Sequence, residues 1–208
     1  MSPRLPKASH VAITLGLAFL FWAAVFALHL VNFWVGLSGA ALILTGLSFK
    51  WGGIPVSREE ITLRNTVVGL GSAAALYGIF FLCKLIAIQI FSFAPGQIHS
   101  IYTIRTEADA ISIAIVLLFI TSPCEELFWR GFVQRYGMAR FGDIKGWLFG
   151  TFFYTAIHVA SGNFMLAGAA FTAGFFWGYV YLKTRSIYAC ILSHATWTVA
   201  IFLLFPMG

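Results

Sequence analysis

Long apolar runs separated by short polar stretches dominate this chain, and the runs are continuous rather than alternating in period two. That pattern predicts buried or lipid-facing helices and disfavours a membrane barrel, whose strands alternate. A helix needs about 20 apolar residues to cross a bilayer. Seven candidate segments stand out, at roughly 11–29, 31–49, 66–92, 109–138, 146–160, 164–182 and 186–205. The first follows Arg4 and Lys7 and has the layout of a secretory leader. Its length and the lack of a small-residue cleavage site predict a retained helix instead. The fifth and sixth are short and rich in Gly, Ala, Ser and Thr, which suits close packing inside a bundle.

Composition turns this pattern into a class. The chain is 60% hydrophobic and 10% charged, with a mean hydropathy of +0.89, whereas about a quarter of the residues of a soluble domain are charged. The expectation is an all-α, polytopic transmembrane bundle, with residues 1–208 forming a single integral membrane domain. The net charge of +6 does not point to nucleic acid, because the basic residues lie singly between apolar runs. With the N-terminus in the cytoplasm and the seven segments alternating, Arg4, Lys7, Lys50, Arg58, Arg64, Arg135, Arg140, Lys145, Lys183 and Arg185 all fall inside. Only Arg105 falls outside, a strong positive-inside bias that puts the C-terminus outside. The expected location is a prokaryotic plasma membrane. Cys83, Cys124 and Cys190 show no metal-ligand spacing and read as small packing residues.

The acids carry the chemistry. Glu59, Glu60, Glu107, Asp109 and Asp143 lie in or beside expected loops, leaving Glu125 and Glu126 at membrane depth after the run Ile111–Ile120. An ionisable group there costs about 2.5 kcal/mol or more on insertion scales, so it points to function. Pro123 lacks a backbone donor and predicts a kink or restart, with Ser122 capping and Glu125 completing a capping box. Interrupted backbone at that depth faces protein or a wet cavity. Glu126 and Arg130 are four apart with the acid first, the favourable order for an ion pair. Glu125 points about 100 degrees away, free to act.

His158 in the fifth segment and His194 in the seventh join this layer, with Thr198 four residues after His194 on the same face. Measured at about 1.5 Å per residue, Glu125, His158, His194 and Thr198 lie roughly 12–20 Å from the cytoplasmic ends of their segments. His10, His29 and His99 fall at segment ends or in loops, and Lys84 is placed to snorkel. Cys190 with His194 is a poor nucleophilic pair, since nothing orients the histidine. Gly-x-Ser-x-Gly, His-Glu-x-x-His and phosphate-loop motifs are absent.

Glu-Glu-x-x-x-Arg, followed by an aromatic-x-x-x-His helix and a late His-x-x-x-polar helix, resembles the CAAX protease and bacteriocin-processing (CPBP) family of intramembrane endopeptidases, related to the type II prenyl proteases. The resemblance covers about residues 109–205 and implies eight helices if the broken segment counts as two. It implies Glu125 as the catalytic glutamate, His158 as its partner in activating water, and His194 as the oxyanion donor. Glu126 and Arg130 match the supporting pair. Tyr154 stands where the family usually has Phe, a mild change on an aromatic packing surface. Thr198 stands where it usually has Asn, and its hydroxyl has to rotate toward an oxyanion or else bond its own helix.

The residues agree with hydrolysis of a peptide bond by an activated water, with a donor for the oxyanion and a proton for the leaving amine. The same Glu125, His158 and His194 also make a three-ligand zinc set. The metal-free reading is preferred because the resemblance implies it, so no cofactor is expected. Expected partners are membrane lipid and a membrane-associated or lipidated protein or peptide substrate, with no nucleic acid. A non-catalytic binding scaffold of the same fold and a proton-linked transporter are the alternatives. The transporter predicts internal repeats, which the chain lacks.

Overall fold

The computed structural model describes residues 4–207. Among them the chain is helical throughout, with no strand and eight main helices. These are α1 (Ala8–Ala27), α2 (Phe33–Gly52), α3 (Leu63–Ile90), α4 (Ala94–Thr103), α5 (Ala110–Phe141), α6 (Asp143–Val159), α7 (Phe164–Thr184) and α8 (Ile187–Leu204). Six of them, all but α4 and α6, are long and apolar enough to cross a membrane. Large apolar side chains such as Leu20, Val35 and Phe119 stay exposed on the outside of the bundle, as lipid rather than water requires. The chain is an integral membrane protein.

Helix starts are set by local chemistry. Asn32, Thr62, Asn163 and Ser186 each accept a hydrogen bond from a first-turn N–H, and Asp109 does the same for α5. Ser57 and Glu60 form a capping box in the short turn before α3. The contacts between termini fix the ends of the bundle. Arg135 donates to the Arg4 and Gly52 carbonyls at 3.1 and 2.7 Å, and Arg185 pairs with Asp143 at 2.6 Å. At the opposite end, Asn32 donates to Glu107 at 3.1 Å and Asn163 to the Gln97 carbonyl at 2.9 Å. Helix α6 runs from the first end to the second, so the backbone traverses the bundle seven times. At 17 residues, or about 26 Å, α6 is a shorter segment than a lipid-facing span.

Two expectations are corrected. Pro123 does not restart the helix: α5 is continuous over 32 residues, and Ser122 sits in helical geometry without capping anything. A π-helical stretch, Leu117–Thr121, precedes the proline. This wider turn takes up the missing donor without a break. The capping box on Glu125 is therefore not formed. The eighth helix is α4 instead, a short element begun by Pro95 in the stretch between α3 and α5 that reads as a loop in sequence.

The main core lies between α1, α2, α5 and α6, where Trp22, Trp34, Phe128, Trp129, Phe132 and Tyr154 pack together. The tightest crossing joins the end of α5 to the start of α6. A methyl on Gly146 would fall 2.1 Å from the Met138 nitrogen and 2.5 Å from the Gly137 carbonyl carbon, both rigid backbone. Gly146→Ala should therefore force these helices apart and lower stability by about 1–3 kcal/mol. Thermal unfolding in detergent tests this against Gly39→Ala, where an added methyl meets nothing within 4 Å. Equal midpoints for the two variants would show that the crossing does not depend on the glycine.

Candidate active site

The polar residues singled out by sequence converge in the bundle interior, in two adjoining groups. The first is built on Arg130. Its guanidinium donates to Glu126 Oε1 at 3.0 Å and to the Gly174 carbonyl at 3.2 Å. It also lies over the Tyr154 ring at 5.0 Å and the Trp177 ring at 5.6 Å. His194 Nδ1 donates to the same Glu126 oxygen at 2.8 Å, while its ring stacks on Trp177 with centroids 3.8 Å apart. Ser193 Oγ holds Trp177 by accepting from its indole nitrogen at 3.1 Å.

Close helix approach makes this group possible. A methyl on Gly174 would meet Tyr154 at 2.8 Å, and one on Gly178 would meet Trp147 at 2.7 Å. The two glycines bring the α7 backbone near enough for its carbonyls to serve α5. Gln134 uses the second of them, donating to the Gly178 carbonyl at 2.9 Å. Glu126, Arg130 and Gln134 thus form a polar stripe at four-residue spacing, and the sequence reading missed its last member. A buried glutamine one turn beyond the arginine was the available signal.

The second group surrounds Glu125. Its Oε2 accepts from the Tyr154 hydroxyl at 3.0 Å. Tyr154 is therefore more than a packing ring: the extra hydroxyl, where the family usually has Phe, holds the glutamate expected to do chemistry. His158 Nδ1 donates to the Tyr154 carbonyl at 2.7 Å. Its Nε2 accepts from the Trp22 indole N–H at 3.1 Å. A carbonyl can only accept and an indole can only donate, so His158 is neutral with its proton on Nδ1. Trp22 comes from α1 and carried no sequence signal beyond being one of several apolar aromatics.

Glu125 and the two histidines keep 6–8% of their surface accessible, whereas Glu126 is at 0%. That difference separates a fully sealed carboxylate from buried groups that keep a small residual exposure. No hydrogen bond joins Glu125 to either histidine among the described residues. Thr198 donates to the His194 carbonyl at 2.8 Å, so its proton is spent on its own helix and is not presented to the site. Among the described residues, no three His, Cys, Asp or Glu side chains are grouped to hold a metal ion. His158 has both ring nitrogens engaged, so Glu125, His158 and His194 do not fit a three-ligand zinc site in this arrangement.

The helical membrane bundle thus holds a buried glutamate and two buried histidines in its interior. Comparison with protein families places it more closely. Residues 107–200 match the model of a peptidase family, described as Type II CAAX prenyl endopeptidase Rce1-like. It includes Glu125, Glu126, Arg130, Tyr154, His158, His194 and Thr198, but not Trp22. No curated protein matches the chain, and no solved structure does.

The sealed pair makes a direct forecast for stability. Removing the cation alone strands Glu126 in a water-free interior, so Arg130→Met should cost about 3–5 kcal/mol. Glu126→Gln combined with Arg130→Met should recover part of that loss. Thermal midpoints in detergent for wild type, both single variants and the double variant give the answer. Single variants that melt with wild type would show that the pair does not brace the bundle.

Proposed function

We propose that this protein is an intramembrane endopeptidase that hydrolyses a peptide bond in a membrane-associated substrate through a water activated at Glu125. The observation that carries the reading is the division between neighbouring carboxylates. Glu126 is sealed, its Oε1 shared by Arg130 and His194 and its Oε2 buried without a partner, while Glu125 receives the Tyr154 hydroxyl and keeps a little accessible surface. The acid left free lies in the stretch that matches a peptidase family.

In this reading Glu125 takes the proton of the attacking water and later passes it to the leaving amine. The Tyr154 hydroxyl orients the carboxylate. His194, with Nδ1–H directed at Glu126, offers Nε2 to the oxyanion when that nitrogen also carries a proton, with Glu126 as counter-charge. His158 shares the activation of water once its Nε2 lone pair is released by Trp22. A lipidated protein or peptide is the substrate suggested by the matching family's name. The charge distribution supports a cytoplasmic N-terminus and an external C-terminus. The basic cluster of Arg4, Lys50 and Arg135 at one end of the bundle is consistent with that orientation.

One observation favours a second reading, a scaffold that binds without cleaving. The His158 lone pair and the Thr198 hydroxyl proton are both engaged inside the protein. Two variants separate the readings. Glu125→Gln keeps size and burial but cannot accept a proton, so it should lower cleavage by about 100- to 10,000-fold. Purified protein in lipid nanodiscs, a peptide library and a thermal midpoint as the folding control make the measurement. Turnover at the wild-type rate would remove Glu125 from the reaction.

Trp22→Phe keeps an aromatic ring on His158 and removes only the N–H. If the indole holds back a base, cleavage should rise by about 2- to 10-fold, the worth of one neutral hydrogen bond of about 0.5–1.5 kcal/mol. An unchanged rate would mean that His158 Nε2 takes no part. Absence of cleavage in wild type and Trp22→Phe alike, with partner binding intact in Glu125→Gln, would establish the scaffold.

A further inference from the structure

A cavity of about 320 Å³ lies between α3, α4, α7 and α8, in the half of the bundle away from the basic end. Its walls are almost wholly apolar, with Phe80 on α3, Ile98 on α4, Ala169 on α7 and Phe202 on α8 among them. Lys84 is the only charged side chain on the lining. It sits six residues before the end of α3, about 9 Å from the helix end. No carboxylate pairs with it among the described residues.

The other polar groups on the lining are mostly spoken for. The Tyr102 hydroxyl donates to the Ile201 carbonyl at 3.1 Å, Thr172 to the Gly168 carbonyl at 3.0 Å, and Thr198 to the His194 carbonyl. The indole N–H of Trp197 is an exception: it is buried without a partner. The wall therefore offers one ammonium on an otherwise apolar space. Lys84 is half-buried, so its ammonium can reach along the apolar wall and receive an anion there.

We propose that this cavity binds a single-chain fatty acid from the surrounding membrane, with its carboxylate on Lys84 and its hydrocarbon chain among α3, α7 and α8. The charge selects an acid, and the apolar walls select a chain. The volume is at the small end for ligand pockets, about 300–1,000 Å³, which suits one chain rather than a two-chain lipid. Helix α4 adds Ile101 and Tyr102 to the wall and is tied to the start of α7, where Met165 N donates to Gln97 Oε1 at 3.0 Å.

The test reads binding rather than hydrolysis, so its outcome is separate from the peptidase reading. Nanodiscs holding the protein are exposed to a C16 fatty acid carrying a mid-chain diazirine, to the matching alcohol, and to the matching lysophosphatidic acid. After illumination, labelled peptides are quantified by mass spectrometry. The acid should label the α8 stretch around Trp197 and Phe202 in preference to the alcohol. Lys84→Met should weaken acid labelling by about tenfold or more and leave the alcohol unchanged. Gly168 is a lining residue where an added methyl meets nothing within 4 Å, so Gly168→Leu should fold and reduce labelling by narrowing the cavity. Ala87→Leu on the facing wall should act likewise.

Equal labelling by acid and alcohol in wild type would overturn the role of Lys84. Labelling that survives both cavity-filling variants, or falls outside α3, α7 and α8, would overturn the site. Stronger labelling by the lysophosphatidic acid would replace the carboxylate with a phosphate and overturn the assignment to a fatty acid.

Discussion

A guanidinium sealed inside the bundle sets the terms for what packs around it. Arg130 cannot shed its charge, and water is not there to solvate it. Each of its directions therefore has to end on protein: a carboxylate from its own helix, a carbonyl from α7, and the faces of Tyr154 and Trp177. Meeting that demand draws α6 and α7 onto α5, and it needs a glycine where the α7 carbonyl must approach. The carboxylate recruited for the purpose also accepts from His194, which ties in α8. Four helices are thus held in register by one cation.

That constraint has a chemical consequence one residue away. In water, two adjacent glutamates would differ little. Here the helix turns them about 100 degrees apart, and each meets a different wall of the bundle. One faces the cation and is used up in bracing, while its neighbour faces a phenol and keeps accessible surface. The π-helical stretches on either side, Leu117–Thr121 and Trp129–Gln134, shift the phase of the helix around this pair. Such wide turns are often found at functional sites.

The sequence made visible whatever depends on spacing along one helix or on the medium. The apolar runs marked all seven traverses, the scatter of Arg and Lys marked which ends lie together, and Glu126 with Arg130 showed as a pair because four residues make one turn. What stayed hidden depends on contacts between distant helices. Trp22 meets His158 across 136 positions, and nothing in α1 marks one tryptophan among its apolar neighbours. Tyr154 was legible as an aromatic residue, but its hydroxyl gained meaning only when α6 settled against α5. Pro123 misled for a different reason. A missing donor argues for a break, yet a wider turn just ahead of it absorbs the same defect at lower cost in a medium where a break would expose backbone. Helix α4 was missed because Pro95 and its polar neighbours resemble a loop until Ile98 and Ile101 are seen lining an apolar cavity.

The two histidines are held in opposite senses, and this bears on how the proposed hydrolysis would begin. His194 gives a proton to a carboxylate and keeps its far nitrogen unengaged by any hydrogen bond among the described residues. His158 gives its proton to a carbonyl, and its far nitrogen receives one from Trp22, so it is fully satisfied and inert as drawn. The engaged histidine is thus governed by a residue outside the stretch that matches the peptidase family. Trp22 is also the last residue before the π-helical segment Ala23–Ala27. A change of winding there would carry the indole off His158, while the hydrogen bonds of Arg130 run to α5 and α7 and stay in place. Access to the His158 lone pair would then be decided by the N-terminal helix, and the stability of the site by the C-terminal half.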